Sequence, residues 1–126
     1  MTKTLRTTRR TNLAPIISNG LRFSNSTGSL SGHASTPCGF GEIDPSGPDY
    51  AHQRDCGEVI DYTIYSYDTP IAWHTPSGWY VVGQKFSTTT SCHQGQVRRA
   101  IAEIEKPRTV VCAPSPAVLS ELMRMA

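Results

Sequence analysis

Four side chains able to ligate a metal fall within one stretch of this 126-residue chain. His33, Cys38, His52 and Cys56 form the pattern His-x4-Cys-x13-His-x3-Cys. Zinc takes imidazole nitrogen and thiolate sulfur in tetrahedral geometry, and a loop without a core of its own gains most from such a clip. The close Cys-x2-Cys knuckle that makes zinc motifs specific is missing. Unligated loop residues are therefore the simpler expectation, with zinc as the cofactor to test. Cys92 and His93 form a second constellation, at a helix start where thiolates are stabilised. Neighbours on a helix diverge by about 100°, so the two cannot share a nucleophile–base hydrogen bond. No catalytic residue is assigned. His93 is expected to pack against a sheet with one ring nitrogen bonded to a neighbour.

The run Ser87 to Ser91 supplies hydroxyls and free amides where a helix opens, and Arg98 and Arg99 follow two turns later. Thr89, Thr90 and Ser91 with Arg98 and Arg99 make an anion or nucleic-acid backbone site physically reasonable. Simple helix capping is the alternative. Trp73, His74 and Trp79 flank a predicted turn and would form a contact patch for a protein partner. Trp on a sheet face is, however, commonly core. Phosphate-loop, dinucleotide and catalytic-triad signatures are absent from the sequence.

These residues need elements to hold them. Ile60, Tyr62 and Ile64 alternate along a strand from Glu58 to Tyr67, with Asp61, Thr63 and Tyr65 on its other face. A second strand, Thr69 to His74, sets Ile71 and Trp73 on one side and Ala72 and His74 on the other. Thr75-Pro76-Ser77-Gly78 is a tight connection, and Trp79 to Val82 returns as the third strand of a meander. Ser91 with Gln94 fits a capping box. Val97, Ala100, Ile101 and Ile104 then fall on one helix face, until Lys106-Pro107 ends the helix. Arg108 to Cys112 reads as a further strand. Ser115-Pro116 opens a final helix carrying Val118, Leu119, Leu122 and Met123. Upstream, Leu21 and Phe23 lead into the turn residues Asn25 to Gly28 and a short hairpin. Residues 32–57 hold so many Pro and Gly that no regular element is expected there.

Hydrophobic residues make up 37% and charged residues 17% of the chain, both below the globular norm, so loops must be extensive. The formal charge of +2 conceals an asymmetry. Residues 1–41 carry Lys3, Arg6, Arg9, Arg10 and Arg22 with no acid, while the remainder is net −3. A basic arm on a mildly acidic body suits contact with nucleic acid, and equally suits a solvated tail. The scattered cysteines, with no export signal, imply reduced thiols in a cytoplasm. No apolar run approaches the roughly 20 residues needed to span a bilayer, so no membrane partner is expected.

Three stretches carry a resemblance: Tyr65-Ser66-Tyr67 with Thr69-Pro70-Ile71-Ala72-Trp73, then Thr89-Thr90-Ser91 followed by His93-Gln94, and upstream Phe23 to Gly32, FSNSTGSLSG. The chain resembles a family of small uncharacterised proteins encoded by actinobacterial phages and related mobile elements. It departs from that family in having Phe86-Ser87-Thr88 before the Thr-Thr-Ser run and Cys92 where Arg commonly stands, which removes one positive charge. The resemblance implies a phage-borne accessory protein in the cytoplasm of a bacterial host. It implies no activity, so it transfers no catalytic residue.

The expected architecture is α+β: an antiparallel meander packed by one central helix and a short C-terminal helix. Residues 1–14 are expected to be a flexible basic arm and 15–126 a single domain with a long Pro/Gly-rich loop at 32–57. The leading function is a non-enzymatic binding protein acting on nucleic acid through Lys3, Arg6, Arg9, Arg10, Arg98 and Arg99. The alternatives are a protein that inhibits or redirects a host protein through Trp73, His74 and Trp79, and a virion structural component.

Overall fold

The structure, a computed structural model, describes residues 4–37 and 39–112. Nine elements follow in order: β1 (Leu5–Thr7), α1 (Ala14–Ser18), β2 (Phe23–Asn25), β3 (Leu30–His33), α2 (Pro48–Arg54), β4 (Tyr62–Ser66), β5 (Thr69–Thr75), β6 (Gly78–Val81) and α3 (Thr88–Cys112). The six strands form one sheet in sequence order, antiparallel throughout except for the parallel β1–β2 pair. The fold is α+β, as the periodicities imply. No helix among the described residues is long and apolar enough to cross a membrane.

The meander follows its sequence signals. Pro76-Ser77 joins β5 to β6, with Thr75 opposite Gly78. Gly78 sits at φ 126, a backbone conformation that L side chains rarely adopt. The β2–β3 hairpin turns through Gly28 at φ 77, and the Asn25 side chain closes it by accepting the Leu30 amide and donating to Ser29 Oγ at 2.9 Å. Asn25 and Gly28 thus play the turn roles their chemistry suggests.

A register shift between Ile64 and Tyr65 breaks the simple alternation of the β4–β5 pair. A β-bulge lets successive residues of a strand lean to one side. Accordingly Ile71 and Ala72 both join the larger core with Tyr62 and Ile64, while Trp73 joins the opposite one with Ile60. The expected pairing of Ile71 with Trp73 is corrected on this ground, and Ile60, which precedes β4, joins the opposite core from Tyr62 and Ile64.

Both sheet faces are covered. On one, α1 and α3 bring Leu13, Ile17, Val97, Ala100 and Ile101 onto Phe23, Leu30 and Ile64. The helix face expected from Val97, Ala100, Ile101 and Ile104 is the face that packs, with Val97 wholly buried. On the other face Ile43, Phe40 and Tyr50 from the long connection cover Trp73 and Val82.

Four further expectations change. The described part of the 1–14 arm is not loose: Leu5 to Thr7 pair with Phe23 to Asn25, because Leu5 packs on the main core and Thr7 is buried beside it. Residues 32–57 contain a helix after all, with Pro48 at its first turn, Asp49 beside it and Gly47 as N-cap. Ser91 and Gln94 form no capping box. Ser87 precedes the helix and takes the Thr90 amide on its hydroxyl and the Ser91 amide on its carbonyl, which frees Gln94 to donate to the Val82 and Gln84 carbonyls. Finally, α3 continues through Pro107 to Cys112, where a strand was expected. Proline there forfeits one amide hydrogen bond without ending the helix. The final helix expected after Ser115 lies outside the described residues, as do Lys3 and Cys38.

Candidate functional site

Serine hydroxyls and an imidazole meet where α3 opens beside the β4–β5 turn. Ser66, at the end of β4, is 1% exposed and lies 2.8 Å from His93 Nδ1 and 3.0 Å from Thr90 Oγ1. Ser87 Oγ donates to Thr90 Oγ1 at 3.3 Å. Ser87, Thr90, Ser66 and His93 thus form one hydrogen-bonded relay. Burial holds the pKa of this imidazole below its ordinary value, which keeps the ring neutral. The expectation that His93 packs on the sheet with one nitrogen engaged is met. Ser66 itself is too deeply enclosed to attack a substrate, so the Ser66–His93 contact orients the imidazole ring and is not a nucleophile pair.

His93 is 9% exposed and forms part of the wall of a cavity of about 360 Å³. Thr88, Thr89 and Cys92 continue that wall along α3, Asn25 and Leu30 come from the β2–β3 hairpin, and Thr8 and Arg9 from the turn after β1. No acidic residue lines it. Gln96 ties the wall together, its amide donating at 3.0 Å to the carbonyls of both Thr8 and Thr11. Tyr67, at φ 56 on the exposed turn beyond Ser66, sets its ring 6.3 Å from that of His93. Its amide donates to Ser29 O at 2.7 Å, binding the turn to the hairpin. The three stretches that carried the family resemblance thus converge here.

A second groove of about 240 Å³ adjoins the first, sharing Arg9 and Gln96. Arg10 and Arg99 line it as well, with Glu103 at its far end held by Asn12. Arg9, Arg10 and Arg99 are thereby gathered on one side of the molecule. Arg6 is not: strand alternation turns it to the sheet face opposite Leu5 and Thr7. Arg98 points elsewhere too, its Nη2 donating to Val82 O at 3.3 Å. Of the hydroxyl run, Thr89 faces the cavity, Thr90 belongs to the relay, and Ser91 is exposed and outside the cavity lining.

The zinc pattern is dispersed. His33 stacks on Tyr65 with centroids 5.6 Å apart. His52 stacks on Tyr80 at 3.7 Å and accepts Trp73 Nε1–H at 3.1 Å. Cys56 donates to Glu58 O. Among the described residues no group of three or more His, Cys, Asp or Glu side chains gathers to hold a metal. The aromatic patch is also divided. Trp73 is wholly buried beneath α2 and offers nothing to a partner, a correction that follows from its place on the second core face. His74 and Trp79 remain together on the opposite face, edge to face at 5.1 Å, and Asp61 holds His74 Nδ1 at 2.7 Å.

Sequence reasoning missed Asp49, Ser66 and Gln96. Asp49 carried a signal, standing behind Gly47-Pro48 as first-turn acids do. The others act across the fold, and no local spacing marks them.

Sheet, helices and cavity together define a small α+β protein with an acid-free pocket walled by the start of its long helix. A family model matches residues 11–110, 100 of the 126 residues, and the chain belongs to that family, DUF8033, a family of unknown function. No curated protein and no solved structure matches the chain.

Proposed function

We propose that this is a non-enzymatic binding protein, carried by a phage and acting on nucleic acid in the cytoplasm of its bacterial host. One observation carries the choice of partner: Arg9 and Arg10 from the turn after β1 and Arg99 from α3 line a common groove that continues into the acid-free pocket. Guanidinium groups in a row suit phosphates spaced along a strand, and their affinity comes largely from released counterions. The phage origin rests on the motif resemblance at residues 23–32 and 65–101. Among the described residues lining this groove and pocket, no nucleophile is hydrogen-bonded to a base, which favours binding over catalysis.

Three phosphate contacts set the expected salt response. Log affinity should fall against log salt with a slope of about −2 for single strands or about −2.7 for duplex. Fluorescence anisotropy with a labelled oligonucleotide measures it. Arg99→Ala should flatten the slope by about one contact, roughly 0.7 to 0.9. An affinity that does not respond to salt, or a slope unmoved by Arg99→Ala, would sink the reading.

A host-protein partner is favoured by a different observation: Trp79 and His74 flank a groove of about 290 Å³ with Ile17 and Ile104. In that case Trp79→Ala abolishes capture of a host protein while oligonucleotide binding is absent from the start.

A further inference from the structure

We infer that His52 is an acid-released latch on α2, and that protonation moves its ring from Trp73 into the cavity beside it. The donor fixes the state of this ring. Indole Nε1–H can only donate, and Trp73 gives it to His52 Nδ1 at 3.1 Å, so Nδ1 holds a lone pair. The bonded imidazole is therefore neutral, with its hydrogen on Nε2. An imidazolium carries hydrogens on both nitrogens, and its Nδ1–H would point at the indole N–H. Trp73 is wholly buried, and its Nε1 has no second acceptor among the described residues. Proton uptake thus strands a buried donor, which favours separation of the two rings. His52 is exposed, so water delivers the proton without any opening of the fold.

The charged ring has other partners within reach. A cavity of about 410 Å³ lies between the C-terminal end of α2 and the β5–β6 turn, and His52 forms part of its wall with Asp55 and Glu58. Asp55 follows His52 by three residues, the spacing of neighbours on a helical turn. The Glu58 carboxylate has no hydrogen-bond partner among the described residues. The last turn of a helix also favours a cation. The other ionisable groups around the ring do not oppose the move. Asp49 is turned to Tyr80 Oη and the Gly83 and Gln84 amides. Arg54 is paired with Asp55 at 2.8 Å, and Cys56 donates to Glu58 O. Trp73 brings no charge from β5, and Tyr80 of β6, stacked on His52 at 3.7 Å, meets either form of the ring with its π face. Asp49 acts as the hinge. It keeps the first turn of α2 on the sheet, so loss of the His52 bond frees the last turn alone and uncovers Trp73 from that end.

The test follows the full chain by 15N NMR from about pH 7.5 to pH 5, the range in which imidazoles charge. Resolved indole signals are required, because Trp79 lies against His74. The Trp73 Nε1–H signal should lose its hydrogen-bonded shift in step with the titration of the His52 ring. Amide changes should gather in residues 51–58 and β6, while the Val97, Ala100 and Ile101 amides of the main core hold their positions. His52→Asn sets an amide oxygen near the place of Nδ1 and removes the titration, so the Trp73 signal should become independent of pH. Glu58→Gln should move the release to lower pH. A Trp73 signal that stays fixed while His52 titrates overturns the inference, as does a His52 ring still neutral at pH 5. Release that survives His52→Asn, or that coincides with collapse of the core amides, overturns it equally. An unaltered release in Glu58→Gln removes the cavity as the destination of the ring.

Discussion

Truncating Asp49 to alanine tests whether one carboxylate anchors the layer that covers Trp73. Asp49 is 5% exposed in the first turn of α2 and accepts three hydrogen bonds: from Tyr80 Oη at 2.6 Å, and from the Gly83 and Gln84 amides at 3.2 Å each. These bonds tie α2 to β6 and to the connection leading into α3. Hydrogen bonds to a charged group contribute about 1.5–3 kcal/mol when dry. Tyr80 is half-buried and Gly83 exposed, so water replaces part of the loss. About 1 kcal/mol for each bond, or about 3 kcal/mol in all, is the working figure. A domain of this size is stable by about 5–15 kcal/mol, so the midpoint of thermal unfolding should drop by about 10 °C. Two spectroscopic readouts accompany the melt. Freeing α2 uncovers Trp73, and tryptophan emission should shift to the red. The Tyr80 hydroxyl, whose pKa burial and the Asp49 contact push up to about 12, should titrate closer to its ordinary value of 10.0. Asp44→Ala is the control, since its side-chain bonds reach only to Ser46 on the surface, and it should leave the midpoint in place. A loss below about 1 kcal/mol for Asp49→Ala, with unchanged emission, would refute the anchoring argument.

Acid should loosen the fold above the pH where carboxylates titrate. Burial holds the pKa of His93 below the ordinary 6.5, and burial together with the charge of Arg22 does the same for His33. Below about pH 6.5 the unfolded chain therefore binds more protons than the folded one, and stability declines until the folded-state values are passed. Urea midpoints at neutral pH and at about pH 5.5 should differ, and His93→Gln should narrow the gap. A comparison of two glycines separates strain from clash. Gly20 and Gly41 both have positive φ, 66 and 54, but an added Cβ at Gly20 meets nothing within 4 Å. At Gly41 it would lie 2.5 Å from the Thr69 Cα. Gly20→Ala should cost about 1 kcal/mol by chemical denaturation, and Gly41→Ala about 2 kcal/mol or more beyond that. Equal losses would show that the 34–61 connection yields freely around Thr69.

Much of the scaffold was legible because its signals are local. Val97, Ala100, Ile101 and Ile104 repeat at helical spacing and no strand could use them so. Thr75 to Gly78 has turn chemistry at every position, and the Asn25–Gly28 turn likewise. What escaped was set across the fold. Three residues, Leu5 to Thr7, carry too little alternation to mark a strand, and only pairing with Phe23 to Asn25 makes them one. The bulge at Ile64/Tyr65 sends Ile71 and Trp73 to separate cores, which no count of twos anticipates. Around the site, Arg9, Arg10, Arg99, Thr89 and His93 each drew attention from the residues alone. Their meeting did not, because it depends on α1 folding back so that the turn after β1 reaches α3. Ser66 was a strand hydroxyl like any other until Thr90 and His93 closed on it.

One contact at the rim of the sheet bears on how copies of this protein treat one another. The Val82 amide turns inward to Ile71 O at 2.9 Å, so by the two-residue period of a strand the Trp79 amide faces outward from β6. Glu105 occupies that amide, its Oε2 at 3.2 Å. A bare amide on a terminal strand invites another chain to zip on, and a carboxylate seated there both fills the vacancy and repels a like-charged copy. The long helix thus guards the sheet as well as covering it: Glu105→Ala should promote concentration-dependent self-association without unfolding the monomer.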